Sequence, residues 1–376
     1  MIYLDHAATT PVPREVADAM YEVLTNQFGN PSSQYQLGLD MKKRVDGWRK
    51  TVADALGCDA KQLYFTSCGT EGDNWAITAA CWQNRHLGRH IVTTAVEHNA
   101  ILESCKWMEQ QGYEVTYLTP DGSGDITAEQ VLDAVRPDTA LVSVMLVNNE
   151  TGNIFPIADI ARGLAAKNPK TLFHTDAVQG FLKVPFAAKS LGADLISVSS
   201  HKIHGPKGTG ALYISPRLRS FPPLLLGGGQ EGGYRSGTEG TPGIFGFAAA
   251  CAAGATTMKA DTSREKALLD ALAEKLADLP GVVVNGAHDA PHILSLSVPG
   301  VPTQNTINIL QDAGICVSAG SACAKGHRSH VLEAMGLPAP VMDGSFRVSL
   351  CRNTSQEELE QLYDVLRQEI LPRARA

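Results

Sequence analysis

Long apolar runs are missing from this chain of 376 residues. The apolar stretch Ile244 to Ala255 contains two glycines and, even extended back through Gly243 and Pro242, falls short of the roughly 20 residues that span a bilayer, so no membrane partner is expected. Positive charge is in deficit as well: 32 Lys plus Arg stand against 39 Asp plus Glu, a formal charge of -7, which argues against direct binding of nucleic acid through its phosphates. The eight cysteines form no CxxC pair and no metal-type spacing with histidine, so neither a disulfide framework nor a metal site is expected. The opening MIYLDHAATTPVP has neither a basic segment nor an apolar one, so no secretory leader is expected and a reducing cytoplasm fits the cysteine usage.

What is present is ordinary globular material, 44% hydrophobic and 19% charged, at a length that favours two domains. Residues 13 to 27 and 39 to 56 read as amphipathic helices, the second ended by Gly57. Short apolar runs then alternate with helical segments: Gln62 to Phe65, Ile91 to Ala95, Val115 to Leu118, Leu141 to Val147, Thr171 to His174 and Leu195 to Val198. That rhythm predicts an α/β fold with a mostly parallel central sheet flanked by helices. After a small-residue helix at 244 to 256 the pattern changes to a polar helix at 263 to 279, strand-like Val282 to Val284, Ile293 to Val298 and Phe346 to Leu350, and a helix opened by the capping box Ser355 and Glu358. The expected division is a large domain over 13–256, with 1–12 and 257–376 forming a smaller α+β domain.

In parallel α/β sheets ligands gather beyond the carboxyl ends of the strands. There the sequence places the turn Thr66 to Glu71, which opens a helix suited to a phosphate, followed by Glu97-His98-Asn99, Asn148-Asn149-Glu150, Asp176 with Gln179, and Ser199-Ser200-His201-Lys202. Singly each has a bland reading: His98 as a capping histidine, Asp176 as an N-cap, the turn as only a turn. Together they carry costly buried charges, which must be paired or used. A phosphate-bearing cofactor with a protonatable ring nitrogen and a carbonyl that condenses with lysine engages all of them, and pyridoxal 5'-phosphate has those features. Lys202 is the favoured lysine over Lys207, which sits among glycines and a proline.

The motifs YLDHAATTP, FGNPSS, FTSCGTEGDN, EHNAIL, VNNETG, HTDAVQ, SSHKIHGPKGTGALY, RSGTE, SAGSACA and FRVSL, spread over nearly the whole length, resemble those of the NifS/IscS-type cysteine desulfurases. These belong to the class V aminotransferases, which have the fold-type I architecture of pyridoxal phosphate enzymes. The resemblance implies Lys202 as the Schiff-base lysine, Asp176 at the pyridinium nitrogen and His98 stacked on the ring, with Asn149 and Gln179 at the phenolic oxygen. It implies Gly69, Thr70, Ser200 and His201 at the phosphate, and Thr238 reaching the phosphate of a neighbouring subunit, hence a homodimer. Arg347 would clamp the substrate carboxylate, with Asn149 beside it, and Cys323 would be the nucleophile that takes sulfur from L-cysteine and leaves L-alanine.

The persulfide would pass to a sulfur-acceptor protein, in service of iron–sulfur cluster assembly, transfer RNA thiolation or another pathway. A thiol near its ordinary pKa needs a neighbouring cation or proton acceptor, and Lys325, His327, Arg328 and His330 are the nearby candidates. The small residues around Cys323 point to a loop, about 318–330, that collects and delivers sulfur. Tyr35, Gly232 and Gly240 depart from residues common in the family, and the segment after Cys323 is short, which suggests a dedicated acceptor instead of a general scaffold. Selenocysteine cleavage, another class V lyase reaction or transamination on the same fold is the alternative activity, and a non-catalytic scaffold is a third reading.

Overall fold

The computed structural model describes residues 1–218, 220–320 and 328–375. Cys323, Lys325 and His327 lie outside the described residues. The strands are β1 (Ile2–Tyr3), β2 (Leu63–Thr66), β3 (His90–Thr94), β4 (Glu114–Leu118), β5 (Thr139–Ser143), β6 (Leu172–Asp176), β7 (Leu195–Ser199), β8 (Gly210–Ile214), β9 (Val283–Asn285), β10 (Ile293–Ser297), β11 (Ile315–Cys316) and β12 (Ser345–Ser349). Seven of them form one sheet in the order β2-β8-β7-β6-β5-β3-β4. Strands β4, β3, β5, β6 and β7 run parallel; β8 is antiparallel to both β7 and β2, so β2 again points the same way as β7. The mostly parallel sheet expected from the apolar runs is present. The strand β8, which is not among the apolar runs named from the sequence, completes it.

Side chains alternate across the sheet with the strand period of two, and the two faces enter different cores. Ile91, Leu141, Leu172, Leu195 and Leu212 pack with Trp75, Ile101 and Met108 from the helices Gly69–Asn84 and Asn99–Gln110. Their neighbours Val92, Val142, Phe173, Ile196 and Tyr213 pack on the other face, with Val45 and Val52 from the helix Gln36–Leu56 and Ile160 from Ile157–Lys167. Covering both faces is what makes these strands apolar throughout. Gly57 ends its helix in the left-handed region at φ 75°, as expected.

A further sheet, β12-β10-β9, is antiparallel, and its Leu294, Leu296, Phe346 and Val348 form a core with Leu269 and Leu276. The chain start joins this part: β1 pairs in parallel with β11, Ile2 opposite Ile315. One expectation is corrected. In place of two helices at 244 to 256 and 263 to 279, a single helix runs over Thr241–Ala277, with Phe247 in one core and Leu269 in another. No proline or glycine interrupts residues 255 to 263, and Thr257 and Ser263 return their hydroxyls to the carbonyls of Ala253 and Lys259 instead of breaking the turn. The capping box is formed as read: Ser355 Oγ accepts from Glu358 N, and a Glu358 carboxylate oxygen accepts from Ser355 N at 2.9 Å.

Candidate active site

The carboxyl ends of β2, β3, β5, β6 and β7 share one rim, and there a cavity of about 300 Å³ opens. Lys202, Asp176, Gln179, His98, Asn149, Gly69, Thr70, His201 and Arg347 all line it. Lys207 does not, and is exposed. Ser200 is fully buried beside the cavity instead of lining it, its place there being taken by Ser199. Thr238 borders a different cavity, with Ser67, Gly208 and Arg235.

Lys202 follows β7, and its Nζ donates to the carbonyls of Ala7 and Ala8 at 2.7 Å each. Burial, with Arg347 and Lys183 nearby, pushes this amine down to about 7. Asp176 ends β6, where one carboxylate oxygen accepts from Val178 N at 2.8 Å. Burial raises its pKa against the pull of His98 and Lys202, so the carboxyl lacks a full counter-charge. His98 is the N-cap of the helix Asn99–Gln110, its Nδ1 accepting from Ala100 N at 3.1 Å. The capping reading is thus correct, and the same ring also walls the cavity. Its pKa is lowered, first by burial.

Sequence reasoning missed Asp73. It is 1% exposed, lines the cavity, and has a carboxylate oxygen without a hydrogen-bond partner among the described residues. Burial and then Asp176 hold its pKa well above the usual carboxylate range. Its ligand-type atoms, with those of His98 and Asp176, lie within 4.8 Å of one another. The available signal was helical spacing: Asp73 is four residues beyond Gly69 and so shares the face that Gly69 turns to the cavity.

Arg347 lies on β12 and reaches the cavity from the antiparallel sheet, 2% exposed. It donates to Asp5 Oδ1 at 2.9 Å and to the carbonyl of Asn149 at 2.5 Å, and its Nε has no partner among the described residues. Of the cations and bases suggested for the cysteine, Arg328 is paired at the surface with Asp343, whereas His330 lines the cavity.

These residues fit pyridoxal phosphate. Cys68 opens the helix Gly69–Asn84 without a side-chain cap, leaving first-turn N–H groups for an anion, and the hydroxyl of Ser199, which lines the cavity with Gly69 and Thr70, is buried without a partner among the described residues. Two buried carboxyls, Asp73 and Asp176, call for a cationic edge between them and His98. Lys202 supplies the amine. On the Gln179 side chain, Nε2 donates to the Ala7 carbonyl at 2.9 Å while Oε1 is unpartnered and buried.

The family model described as aminotransferase class V matches residues 2–362. The cysteine desulfurase IscS of Methanosarcina thermophila is 41% identical over 370 residues, covering 97% of this chain and 91% of that one. A solved NifS-like protein superposes with a TM-score of 0.92 at 36% identity over 99% of both chains. Another solved structure, SspA in complex with cysteine, gives a TM-score of 0.82 at 31% identity, covering 94% of this chain and all of that one. Motifs, fold and rim chemistry agree with these likenesses, and the chain belongs to the class V aminotransferase family, among the pyridoxal phosphate-dependent cysteine desulfurases of the NifS/IscS type.

Proposed function

We propose that this chain converts L-cysteine to L-alanine and carries the sulfur as a persulfide on Cys323 to an acceptor protein. The observation that carries the reading is the meeting of Lys202, Asp176, His98 and Arg347 in one cavity. Bound pyridoxal phosphate supplies a carbonyl for amines and a ring that accepts the electrons left on the substrate's carbon frame.

The chain's own residues do the rest. Near neutral pH the Lys202 amine is partly unprotonated, so it would hold the cofactor's carbonyl carbon and could serve as a base toward the substrate's α-carbon. Asp176 would face the ring nitrogen with a buried carboxyl, His98 would cover a ring face, and Asn149 and Gln179 would hold the phenolic oxygen. Gly69, Thr70, Ser199 and His201, which line the cavity together, would bind the phosphate, Ser199 in place of the expected Ser200. The planar fork of Arg347 matches a carboxylate in a way lysine cannot. The Cys323 thiolate attacks the substrate sulfur.

Thr238 lines a cavity apart from Lys202, which supports its serving the site of a second subunit in a homodimer. Among the described residues no helix is long and apolar enough to cross a membrane. The cysteines described are all unpaired, which supports a reducing cytoplasm. We also propose the division into 13–256 and 1–12 with 257–376, since Ile2 and Leu4 pack with Leu296 and Phe346. Gly232 sits at φ 64°, a conformation in which the arginine common in the family is strained, and this supports a dedicated acceptor.

The test is alanine and sulfide release from L-cysteine with a reductant, for wild type and Cys323→Ser at full cofactor occupancy. Formation of both products by the wild type and their loss in the variant is expected. Full activity in the variant overturns the persulfide role of Cys323.

A further inference from the structure

Desulfuration moves a hydrogen as well as a sulfur, and the group that carries it should be a base on the substrate side of the cavity. Among the described residues, three imidazoles line that cavity: His98, His201 and His330. In His98, Nδ1 is occupied by the Ala100 N–H, which leaves a ring nitrogen that can only donate. The His201 ring meets Thr9 Oγ1 at 3.2 Å, and burial with three lysines nearby pushes it down to about 4, too weak a base at neutral pH.

His330 differs. Its Nε2 lies 3.0 Å from the backbone carbonyl of Glu97, and since a carbonyl only accepts, Nε2 carries a proton and, in the neutral ring, Nδ1 carries the lone pair. The residue before it, Ser329, donates to the buried Glu150 carboxylate, and Asn149, next to Glu150, holds Arg347 by its carbonyl. This ties His330 to the end of the cavity where the substrate carboxylate is expected. The groups shown near it are the Glu97 carbonyl, Glu150 and His98; Lys202 and Asp176 already have tasks at the α-carbon and the ring nitrogen.

We propose that His330 is a catalytic residue that relays the thiol hydrogen of the substrate from sulfur to carbon, an inference that rests on the desulfurase reading above. As the Cys323 thiolate forms the new S–S bond, the bond between the substrate sulfur and Cβ breaks and its electron pair goes to Cβ. The hydrogen on the outer sulfur passes to Nδ1 of His330, and the imidazolium returns it to Cβ, making the methyl group of alanine. The sulfur is oxidised to the persulfide level and the carbon is reduced, so no outside oxidant or reductant enters.

The test uses the holoenzyme with His330→Gln, which keeps a donor for the Glu97 carbonyl but has no basic nitrogen, and His330→Ala with added imidazole. The readouts are kcat for alanine, KM for cysteine, and the affinity for L-alanine, which lacks the thiol, followed by the cofactor's visible spectrum. Expected are a fall in kcat of about 100-fold in His330→Gln with KM and L-alanine affinity within about twofold, and a rescue of His330→Ala by imidazole of about tenfold or more. A kcat within about threefold of wild type in His330→Gln overturns the proposal. So does a loss of L-alanine affinity with no imidazole rescue, which marks a structural role. A wild type that makes no alanine from cysteine overturns the underlying desulfurase reading instead.

Discussion

Arg347 donates through Nη2 to Asp5 Oδ1 at 2.9 Å, joining β12 to the loop that follows β1, and its other terminal nitrogen holds the Asn149 carbonyl. The guanidinium is therefore fixed in place before substrate arrives, leaving Nε and one face of the fork. Replacement by lysine keeps the charge and loses the fork. Arg347→Lys is expected to raise KM for cysteine by about tenfold or more, near 1.4 kcal/mol, with the cofactor's visible band unchanged. Steady-state kinetics beside an absorbance spectrum decide it, and an unchanged KM removes Arg347 from carboxylate recognition.

Lys202 yields a pH prediction with a defined sign. Its amine is pushed down to about 7 by burial, so the neutral fraction rises as pH climbs through 7. Association of pyridoxal phosphate with the cofactor-free protein should accelerate from pH 6 to pH 8 and then level off. An ordinary lysine would keep accelerating toward its pKa of about 10.4. Stopped-flow absorbance across that range, with Lys202→Ala as the control that forms no covalent band, gives the answer.

Ser199 separates cofactor binding from folding. Its hydroxyl lines the cavity, is buried and has no hydrogen-bond partner among the described residues, so removing it breaks no bond of the cofactor-free fold. A hydrogen bond to a phosphate oxygen is worth about 1.5 to 3 kcal/mol. Ser199→Ala should leave the melting temperature of the cofactor-free protein unchanged or slightly raised, and should weaken pyridoxal phosphate binding by about tenfold or more. Lower stability with unchanged affinity would remove Ser199 from the phosphate site.

Much of this was legible in the sequence because both periods were clean. Strands such as the one holding Leu141 and Val142 put apolar side chains on both faces, and each chemically distinctive residue lies at or just beyond the end of such a run, so Lys202, Asp176 and His98 could be assigned to one rim before their distances were known. Asp73 stayed hidden because an acid in the first turns of a helix has a complete explanation in the helix dipole. The continuous helix Thr241–Ala277 was misread because its apolar face changes partners midway, which looks like an end when only periodicity is visible. The choice among Arg328, His330 and their neighbours needed tertiary placement: Asp343, 15 residues from Arg328, takes that guanidinium to the surface.

Glu97 carries the last prediction. It is fully buried, and one carboxylate oxygen accepts from Thr94 Oγ1 and Met145 N at 2.9 Å each, while the other has no partner among the described residues. Burial pushes its pKa up to about 8. The unfolded chain releases this proton near pH 4.5, so between about 4.5 and 8 the folded protein binds more protons than the unfolded one, and this group's contribution to stability falls as pH rises. Glutamine reproduces the neutral form: its oxygen can accept both bonds, and its amide replaces the unpartnered side. Glu97→Gln should therefore match the wild type in stability near pH 5 and exceed it increasingly toward pH 8, by at most about 1.4 kcal/mol per pH unit. Urea denaturation at pH 5.5, 7 and 8.5 measures that slope difference. A variant less stable than wild type at every pH would mean that Glu97 is charged in the fold and paired through a contact that the neutral form cannot make.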